Sequence, residues 1–287
     1  MDRKTKLKLL AAYQLDFTCK AAVVLYHLFG RGPVDVEKFK KVCETSPLFR
    51  YDRDAYFCYV DTTLLEGGRL KEEEVAKIER VLDKVVPTRD LAKIAEYQLF
   101  SFDAVALLAF ALFGLGPVDI RRLEDEAVQR LGIDRFSAQY IASRIADLRN
   151  GKYYLDDKYA MRIVRMLKVV DGLLSTRECA RQRRGLASLI EKVKNFGKRQ
   201  EPGKKTKLAM AIYERYGSGL FDPEELYRHV RNLYEDKTEY YLHLAEMTRQ
   251  LYDKRYLIYD YAEVAKQYLK EERRRKARIG AKLKPSL

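Results

Sequence analysis

The sequence predicts a mostly α-helical protein made of three tandem helical units with minimal β-hairpins, joined by a basic helix and linker. Three observations predict this fold class. The chain matches itself at a shift of 84 residues, an apolar helix ends at a glycine in each unit, and an aspartate follows each glycine turn. A fixed internal period indicates one supersecondary unit that is used repeatedly.

The repeat is strongest between the first two units. Between positions 11 and 67, 15 of 57 residues are identical to those found 84 positions later. A fainter third copy follows at 217–222. The matched blocks are Tyr13-Gln14-Leu15 with Tyr97-Gln98-Leu99, Leu28-Phe29-Gly30 with Leu112-Phe113-Gly114, Gly32-Pro33-Val34-Asp35 with Gly116-Pro117-Val118-Asp119, and the single pairs Tyr56/Tyr140, Leu64/Leu148 and Gly67/Gly151.

Each unit opens with an apolar helix that stops at a glycine, because glycine tolerates the left-handed turn that ends a helix. We predict these first helices at 21–29, 105–113 and 208–216. The aspartate after each turn is typical of the N-cap of a second helix, and the apolar residues around it have hydrophobic-staple spacing. The caps are Asp35, Asp119 and Asp222, and the staple pairs are Val34/Phe39, Val118/Leu123 and Phe221/Leu226.

A third helix, a glycine turn and a short strand precede the closing helix of each unit. We predict third helices at 54–65, 137–148 and 238–252, and closing helices at 72–85, 157–170 and 261–275. The tyrosine-rich segments 152–155 and 254–258 are typical of strands. No second strand is evident before the closing helix.

This order of elements resembles the winged-helix form of the helix-turn-helix domain. The residues that carry the resemblance are Gly116-Pro117-Val118-Asp119 and Leu148-x-x-Gly151-x-Tyr153-x-Leu155. It implies three tandem winged-helix-like units whose third helix enters the DNA major groove, although many winged helices bind only proteins. The predicted boundaries are 1–87, 88–176 and 207–270 for units 1, 2 and 3, with a basic amphipathic helix and linker at 177–206 and a basic tail at 271–287.

The excess basic charge lies almost entirely outside the three units. The formal net charge of +14 indicates an anionic partner. Residues 177–208 carry 11 basic and 3 acidic side chains, and residues 271–287 carry 7 and 2, so these segments hold +8 and +5. We therefore expect contacts with the anionic partner on the basic segments that flank unit 3, as well as within the units.

The candidate nucleic-acid-binding residues lie on the third helix of unit 2, beside the glycine turns and on the basic segments. The helix offers side chains that reach base edges and phosphates, with Ala138, Ile141 and Ile145 facing inward. Its counterpart in unit 1 carries Asp54 and Asp61, which repel phosphate. The alternatives are a solvated helix face, a solubilising interdomain helix and an inert tail. The candidates are Arg135, Ser137, Gln139, Arg144, Arg149, Lys152, Arg181, Arg183, Arg184, Lys192, Lys194, Lys198, Arg199, Lys204, Lys205, Lys254, Arg255, Arg273, Arg274, Arg275, Lys276 and Arg278.

The sequence lacks the signatures of an enzyme, a cofactor site or a metal site. It contains no Gly-rich phosphate loop or nucleophile elbow, and its four cysteines show no CxxC spacing. We therefore expect no catalytic residue, no cofactor and no metal. The highly charged composition, with few Asn and Gln, indicates a hyperthermophile. Intracellular proteins of such organisms can contain disulfides, so a disulfide among Cys19, Cys43 and Cys58 is an open alternative.

These observations lead to a non-enzymatic nucleoprotein that coats, compacts or packages double-stranded DNA, chromatin-like or in a virion, largely through backbone contacts. One alternative is a sequence-specific transcription regulator that uses the third helix of unit 2, or also of unit 3. Another is a protein–protein scaffold built from winged-helix units. RNA and single strands stay open as ligands, and self-association is expected. No membrane partner is expected, and the expected location is the cytoplasm, on the nucleoid, or the inside of a virion.

Overall fold

The computed structural model of the chain describes residues 1–49, 63–174, 201–234 and 236–282. Within these ranges the protein is mostly α-helical and its sheets are two-stranded antiparallel hairpins, which confirms the fold class at this level. Most of the predicted basic helix and of the third helix of unit 1 lies outside the described residues, as do Cys58 and Cys179. Among the described cysteines, Cys19 is a free thiol and Cys43 is buried.

The elements follow one order in each unit, with an additional helix before the first helix of units 1 and 2. Unit 1 contains α1 (Arg3–Tyr13), α2 (Phe17–Phe29), α3 (Val36–Thr45), a 3-10 turn (Pro47–Phe49), β1 (Leu65–Glu66), β2 (Arg69–Leu70) and α4 (Glu72–Leu82). Unit 2 contains α5 (Leu91–Ala95), α6 (Ser101–Phe113), α7 (Ile120–Leu131), α8 (Arg135–Ile145), β3 (Ala146–Arg149), β4 (Lys152–Leu155) and α9 (Asp157–Leu174). Unit 3 contains α10 (Lys204–Tyr216), α11 (Pro223–Val230), a 3-10 turn (Arg231–Leu233), α12 (Lys237–Met247), β5 (Thr248–Leu251), β6 (Lys254–Leu257) and α13 (Tyr259–Lys282).

The first helices α2, α6 and α10 are equally long and end at equivalent glycines. Each has 13 residues and stops at a glycine with φ of 60–61° and ψ of −125 to −128°, a conformation that favours glycine strongly. The amide of Gly114 donates to the carbonyl of Phe110 at 2.9 Å. A Cβ on Gly116 would lie 3.2 Å from the carbonyl oxygen of Phe113. The repeated Gly-x-Gly block is therefore explained by folding.

The aspartate after each turn caps the second helix, as predicted. The side chains of Asp35, Asp119 and Asp222 accept hydrogen bonds from amides in the first turns of α3, α7 and α11. The inner staple residues are buried in all three units, which fixes the path of the chain into the second helix. These residues are Phe39, Leu123 and Leu226.

Each described hairpin has two strands, in line with the prediction of minimal β-hairpins, and the strand that was not evident in the sequence precedes the turn. Helix α8 ends at Ile145 and α12 at Met247, and the residues after them form β3 and β5 instead of a further helical turn. Cross-strand hydrogen bonds to β4 and β6 replace the helical ones there. The segment before the second helix joins this pairing, since the amide of Val118 donates to the carbonyl of Tyr153 at 2.7 Å.

The hairpin of unit 1 is two residue pairs shorter than that of unit 2, which ends the repeat register. Unit 1 pairs Leu65 with Leu70, whereas unit 2 pairs Ala146 with Leu155 across a longer ladder. The last identities of the 84-residue match are therefore not structural equivalents. They are Leu64/Leu148 and Gly67/Gly151.

Units 1 and 2 share one hydrophobic core and meet through a reciprocal set of hydrogen bonds. The side chain of Gln14 donates to the carbonyl of Tyr97 at 2.8 Å and accepts from the amide of Leu99 at 2.9 Å. Gln98 makes the corresponding bonds to the carbonyl of Tyr13 and to the amide of residue 15. The rings of the two tyrosines stack with centroids 5.6 Å apart. The first block of the repeat therefore forms the contact between its own two copies.

Arg162 in α9 connects all three units. Its Nε lies 2.7 Å from Asp260 of α13, and its Nη1 lies 3.6 Å from Asp103 of α6 and 3.8 Å from Asp16 of unit 1. Arg165 also pairs with Asp260, at 2.7 Å. Unit 3 has its own core, so these ion pairs and the packing of α13 on α9 hold it against unit 2.

Asp103 is the most deeply buried carboxylate around Arg162. It is 1% exposed, and neither of its oxygens accepts a hydrogen bond from the residues that the structure describes. The pKa of Asp103 is raised to about 7, chiefly by burial; Arg162 opposes this shift and the nearby Asp16 adds to it. The folded protein therefore favours the protonated form of this side chain.

Replacing Asp103 with asparagine is expected to stabilise the protein at neutral pH. The ordinary pKa of 3.8 applies to the unfolded chain, so the folded state binds the proton more tightly and loses stability as the pH rises from about 4 to about 7. The slope for one proton is at most about 1.4 kcal/mol per pH unit. The gain from D103N should grow through this window and stay constant above it. Urea unfolding across the window measures this, and a gain independent of pH would contradict it.

Candidate nucleic-acid interface

Helix α8 of unit 2 presents only part of the predicted contact residues to solvent. Its three inward apolar side chains are buried, as predicted. Gln139 is exposed, and Arg135 is exposed but pairs with Asp125 of α7 at 2.6 Å. Ser137 takes part in the helix start, because its hydroxyl and amide donate hydrogen bonds to the N-cap Asp134. These bonds lower the pKa of Asp134.

Aromatic side chains dominate the outer surface of α8. Phe136 is 80% exposed and Tyr140 is 53% exposed. The Tyr140 ring meets Phe102 edge-on with centroids 6.0 Å apart, and Phe102 stacks on Phe100 at 5.2 Å. This surface suits apolar contact better than phosphate contact.

Arg144 links units 2 and 3, and Arg149 is buried within unit 2, which contradicts the prediction that Arg149 contacts nucleic acid. The side chain of Arg149 is 6% exposed and lies 2.8 Å from Asp157 and 3.3 Å from Asp147. Arg144 is half-buried and pairs with Glu246 of α12 at 2.7 Å. Both cations are satisfied by carboxylates at the junction of units 2 and 3.

Lys205 is likewise a junction residue, so its prediction as a linker contact is wrong. Its side chain is 7% exposed, and its Nζ lies 2.7 Å from Glu246 and 3.5 Å from Asp156. Burial favours the neutral amine, but the two carboxylates outweigh it and raise the pKa of Lys205 above its usual value. Lys204, which is exposed, pairs with Glu239 at 2.9 Å. Helix α10 begins at Lys204, so neither lysine belongs to a linker.

The outer side of α12 faces unit 2. A cleft of about 260 Å³ separates it from the hairpin β3–β4, and Leu148 and Tyr153 line it opposite Leu242. Glu239 and Glu246, which lie on this side of α12, pair with cations of α8 and α10. The third helix of unit 3 therefore does not offer a free groove-reading face along its whole length.

The exposed predicted cations of the hairpins lie near their tips. Lys152 follows the turn of β3–β4, and Lys254 follows the turn of β5–β6, and both are exposed. Arg255 is partly buried and donates to the hydroxyl of Thr248 at 3.4 Å. Lys152 and Lys254 are thus placed where a phosphate could reach them.

The predicted basic tail continues the closing helix, and α13 runs to Lys282, beyond the predicted helix end at Arg275. The buried stripe of this helix ends at Leu269. Arg274 pairs with Glu271 at 2.7 Å, and Lys276 pairs with Glu272 at 2.8 Å, both within the helix. All five predicted cations of this segment are exposed: Arg273, Arg274, Arg275, Lys276 and Arg278.

Several predicted contacts fall on 175–200 and lie outside the described residues: Arg181, Arg183, Arg184, Lys192, Lys194, Lys198 and Arg199. Prediction from the sequence also missed exposed aromatic residues, above all Phe136 and Tyr252. A comparison of the hairpin turns would have found Tyr252, because it stands where the other turns have glycine and asparagine.

The described ranges contain no group of three or more His, Cys, Asp and Glu side chains arranged to hold a metal ion. None of the helices in those ranges combines the length and the apolar character that a membrane span requires. No protein-family model, no curated protein and no solved structure matches this chain.

Proposed function

We propose that this protein is a non-enzymatic nucleoprotein that binds double-stranded DNA along the phosphate backbone without a preferred sequence. Its three units are, in this proposal, winged-helix-like modules that serve as a framework, and its role is to coat or compact DNA on a nucleoid or in a virion. The observation that carries the proposal is the exposed basic end of α13.

Among the described residues, the last third of α13 does not pack on the hydrophobic core. Up to Leu269 the helix is amphipathic and packs on α9 and α10. Residues 271–278 then carry five cations and two carboxylates, and the side chains from 273 to 278 are all exposed. Exposed ion pairs contribute at most about 1 kcal/mol, so the pairs with Glu271 and Glu272 leave these cations available to phosphate.

The shape of this segment also suits a duplex. The part of α13 beyond Leu269 runs to Lys282 and is about 20 Å long, and the DNA major groove admits an α-helix. Cations distributed around the helix can approach the phosphates on both sides of a groove. Each phosphate contact releases counterions, which makes the affinity strongly dependent on salt.

The same structure argues against base-specific reading as the main activity. Arg144 and Arg149, two of the candidates named for the third helix of unit 2, are held by carboxylates. The exposed surface of α8 is aromatic, and α12 turns part of its outer side towards unit 2. Backbone contact therefore fits the available cations better than a transcription regulator does.

A protein–protein scaffold is the second candidate, and the aromatic surface of α8 favours it. Phe136 and Tyr140 are exposed beside Phe100 and Phe102. Exposed aromatic clusters mark interaction sites. In this alternative the surface is an interface for a protein partner or for self-association, and the protein does not bind DNA at physiological salt.

Replacing Arg273, Arg274, Arg275 and Lys276 together with glutamine is expected to weaken binding to every duplex by a similar factor. Glutamine preserves helix propensity, so the change removes charge and leaves the helix. The slope of log affinity against log salt should fall by about 3 to 4, since each phosphate contact contributes about 0.9. Fluorescence anisotropy with two unrelated labelled duplexes, between about 50 and 200 mM salt, measures both quantities.

The matched control replaces four exposed lysines of unit 1 with glutamine: Lys4, Lys8, Lys38 and Lys41. The net charge changes equally, so an equal loss of affinity would reduce the effect to overall charge and contradict a contact by α13. Loss for one sequence alone would favour the regulator. Absence of duplex binding by the unaltered protein at about 100 mM salt would favour the scaffold.

A further inference from the structure

The hairpin β5–β6 of unit 3 leaves open a face that its counterpart in unit 2 buries. Both hairpins have four residue pairs around a two-residue turn, so Arg249 corresponds to Asp147 and Leu251 to Arg149. In unit 2 these positions are 7% exposed, because the start of α10 packs on Asp147 and Arg149 is paired with Asp157 of α9. In unit 3 both positions are exposed.

The turn of this hairpin carries an aromatic residue in a conformation that bulky side chains rarely adopt. Tyr252 has φ of 55°, and the equivalent residues Asn150 and Gly67 have φ of 50° and 56°. Asparagine and glycine enter this left-handed region readily, whereas tyrosine does so at a cost in free energy. The side chain amide of Gln250 donates to the carbonyl of Tyr252 at 2.9 Å and holds the turn.

Among the described residues, no contact of the Tyr252 side chain offsets this cost. It is 86% exposed, so neither its ring nor its hydroxyl is used in the core. A strained residue with an exposed ring at a hairpin tip is typical of a contact with an external ligand. Lys254 follows the turn, and Arg249 lies on the same face of the hairpin.

We propose that the open face of β5–β6 is a second nucleic-acid contact, in which Tyr252 inserts at a base step of the bound duplex and stacks on the base that this exposes, and Arg249 and Lys254 approach the flanking phosphates. This inference rests on the proposed function and extends it from backbone contact to contact with a base. Aromatic stacking is tolerant of sequence, because every base has a π-face.

The charge at the open face selects this occupant over a second copy of the chain. In unit 2 the covered position is the acidic Asp147, against which the start of α10, with its cations Lys204 and Lys205, is packed. In unit 3 the same position is Arg249, which would repel those lysines. A polyanion that also offers flat aromatic surfaces complements arginine, lysine and tyrosine together.

The test uses the absence of tryptophan from the chain. The variant Tyr252→Trp makes the hairpin tip the only tryptophan in the full-length protein, and stacking on a base should quench its emission. We expect strong quenching on titration with duplex DNA, parallel to the anisotropy of the labelled duplex. Tyr153→Trp, at a 45% exposed tyrosine of the β3–β4 hairpin, is the control and should change little.

A second variant measures what the ring contributes. Tyr252→Ala should lower duplex affinity roughly 10-fold, within the range for loss of one stacking contact, and leave the salt slope unchanged. Arg249→Gln with Lys254→Gln should lower the slope by about 2 instead. Single-stranded DNA of the same length shows whether the stacked base must come from a duplex. The proposal requires the duplex to quench the tryptophan emission at least as strongly as the single strand does.

The outcomes separate this inference from the proposed function. Duplex binding by Tyr252→Trp without a change in tryptophan emission, or unchanged affinity of Tyr252→Ala, would overturn the stacking contact and leave backbone binding by α13 in place. Absence of duplex binding in the unaltered protein would overturn both. Tryptophan emission that shifts with protein concentration alone would assign the tip to self-association.

Discussion

Replacing Arg162 with methionine is expected to lower the free energy of unfolding by about 3–5 kcal/mol, the usual cost of removing one partner from a buried ion-pair network. Asp16, Asp103 and Asp260 belong to different units and share this one guanidinium. Methionine fills much of the volume but leaves Asp103 without its cation in a buried site. Urea or thermal unfolding at neutral pH measures the loss.

The matched control is Arg165→Met on the same helix. Arg165 pairs only with Asp260 among the three carboxylates, and Asp260 keeps Arg162, so the loss should be less than half as large. The deficit of Arg162→Met should also grow as the pH rises above about 7, because loss of Arg162 raises the pKa of Asp103 further and its ionisation then costs more in the variant. Equal losses in the two variants would show that Arg162 is not the shared partner of the units.

Replacing Gly203 with alanine is expected to cost about 3 kcal/mol, at the upper end of overpacking penalties. A Cβ on Gly203 would lie 1.8 Å from Oδ2 of Asp147 and 2.6 Å from its Cγ. Asp147 is itself held by Arg149 at 3.3 Å, so it cannot move away freely. The backbone of Gly203 has φ of −68°, which alanine adopts easily, and the penalty is therefore steric.

Two further variants isolate that steric term. Gly172→Ala, in α9, places a Cβ in open space and should stabilise by about 0.5–1 kcal/mol. Combining Gly203→Ala with Asp147→Ala should recover part of the loss, because the second change removes the clashing atoms. Additive effects of the two substitutions would contradict a direct contact.

Local patterns in the sequence predicted the parts of the fold that local physics determines. A glycine with positive φ ends a helix wherever it stands, and Asp35, Asp119 and Asp222 cap the helices that follow them. These signals depend on a few neighbouring residues. The described helices accordingly end at the predicted glycines and begin at the predicted caps.

The buried charges could not be found in that way. Lys205 read as a surface cation because its carboxylate partners, Glu246 and Asp156, are remote in the sequence. The partners of Arg149 are near in the sequence, but its burial depends on how the hairpin packs on the closing helix. A signal was present for Lys205, since it shares a helical stripe with Leu208, Ala209 and Ile212, all buried. A basic residue on an apolar stripe indicates a buried ion pair as readily as a phosphate contact.

The candidate site was predictable at the level of charge and not at the level of shape. The basic run at 273–278 was evident, but its helical form extends an amphipathic pattern that stops four residues earlier. Tyr252 was hidden by the register of the repeat, because the shorter hairpin of unit 1 shifts the equivalence of the turns. Only the pairing of the strands shows that Tyr252 is equivalent to Asn150 and Gly67.

The reciprocal bonds of Gln14 and Gln98 have a consequence for how the first two units can vary. A homodimer that meets through a two-fold contact uses one surface twice, so every substitution is made in both halves. Here the two halves are encoded separately, and one can change while the other is kept. Their covalent connection also fixes the local concentration of each half around the other, so dilution cannot separate them. The pair can thus keep the symmetry of a dimer in its contact and lose it elsewhere, which is how an aromatic α8 in unit 2 and the acidic sequence with Asp54 and Asp61 in unit 1 can belong to one molecule.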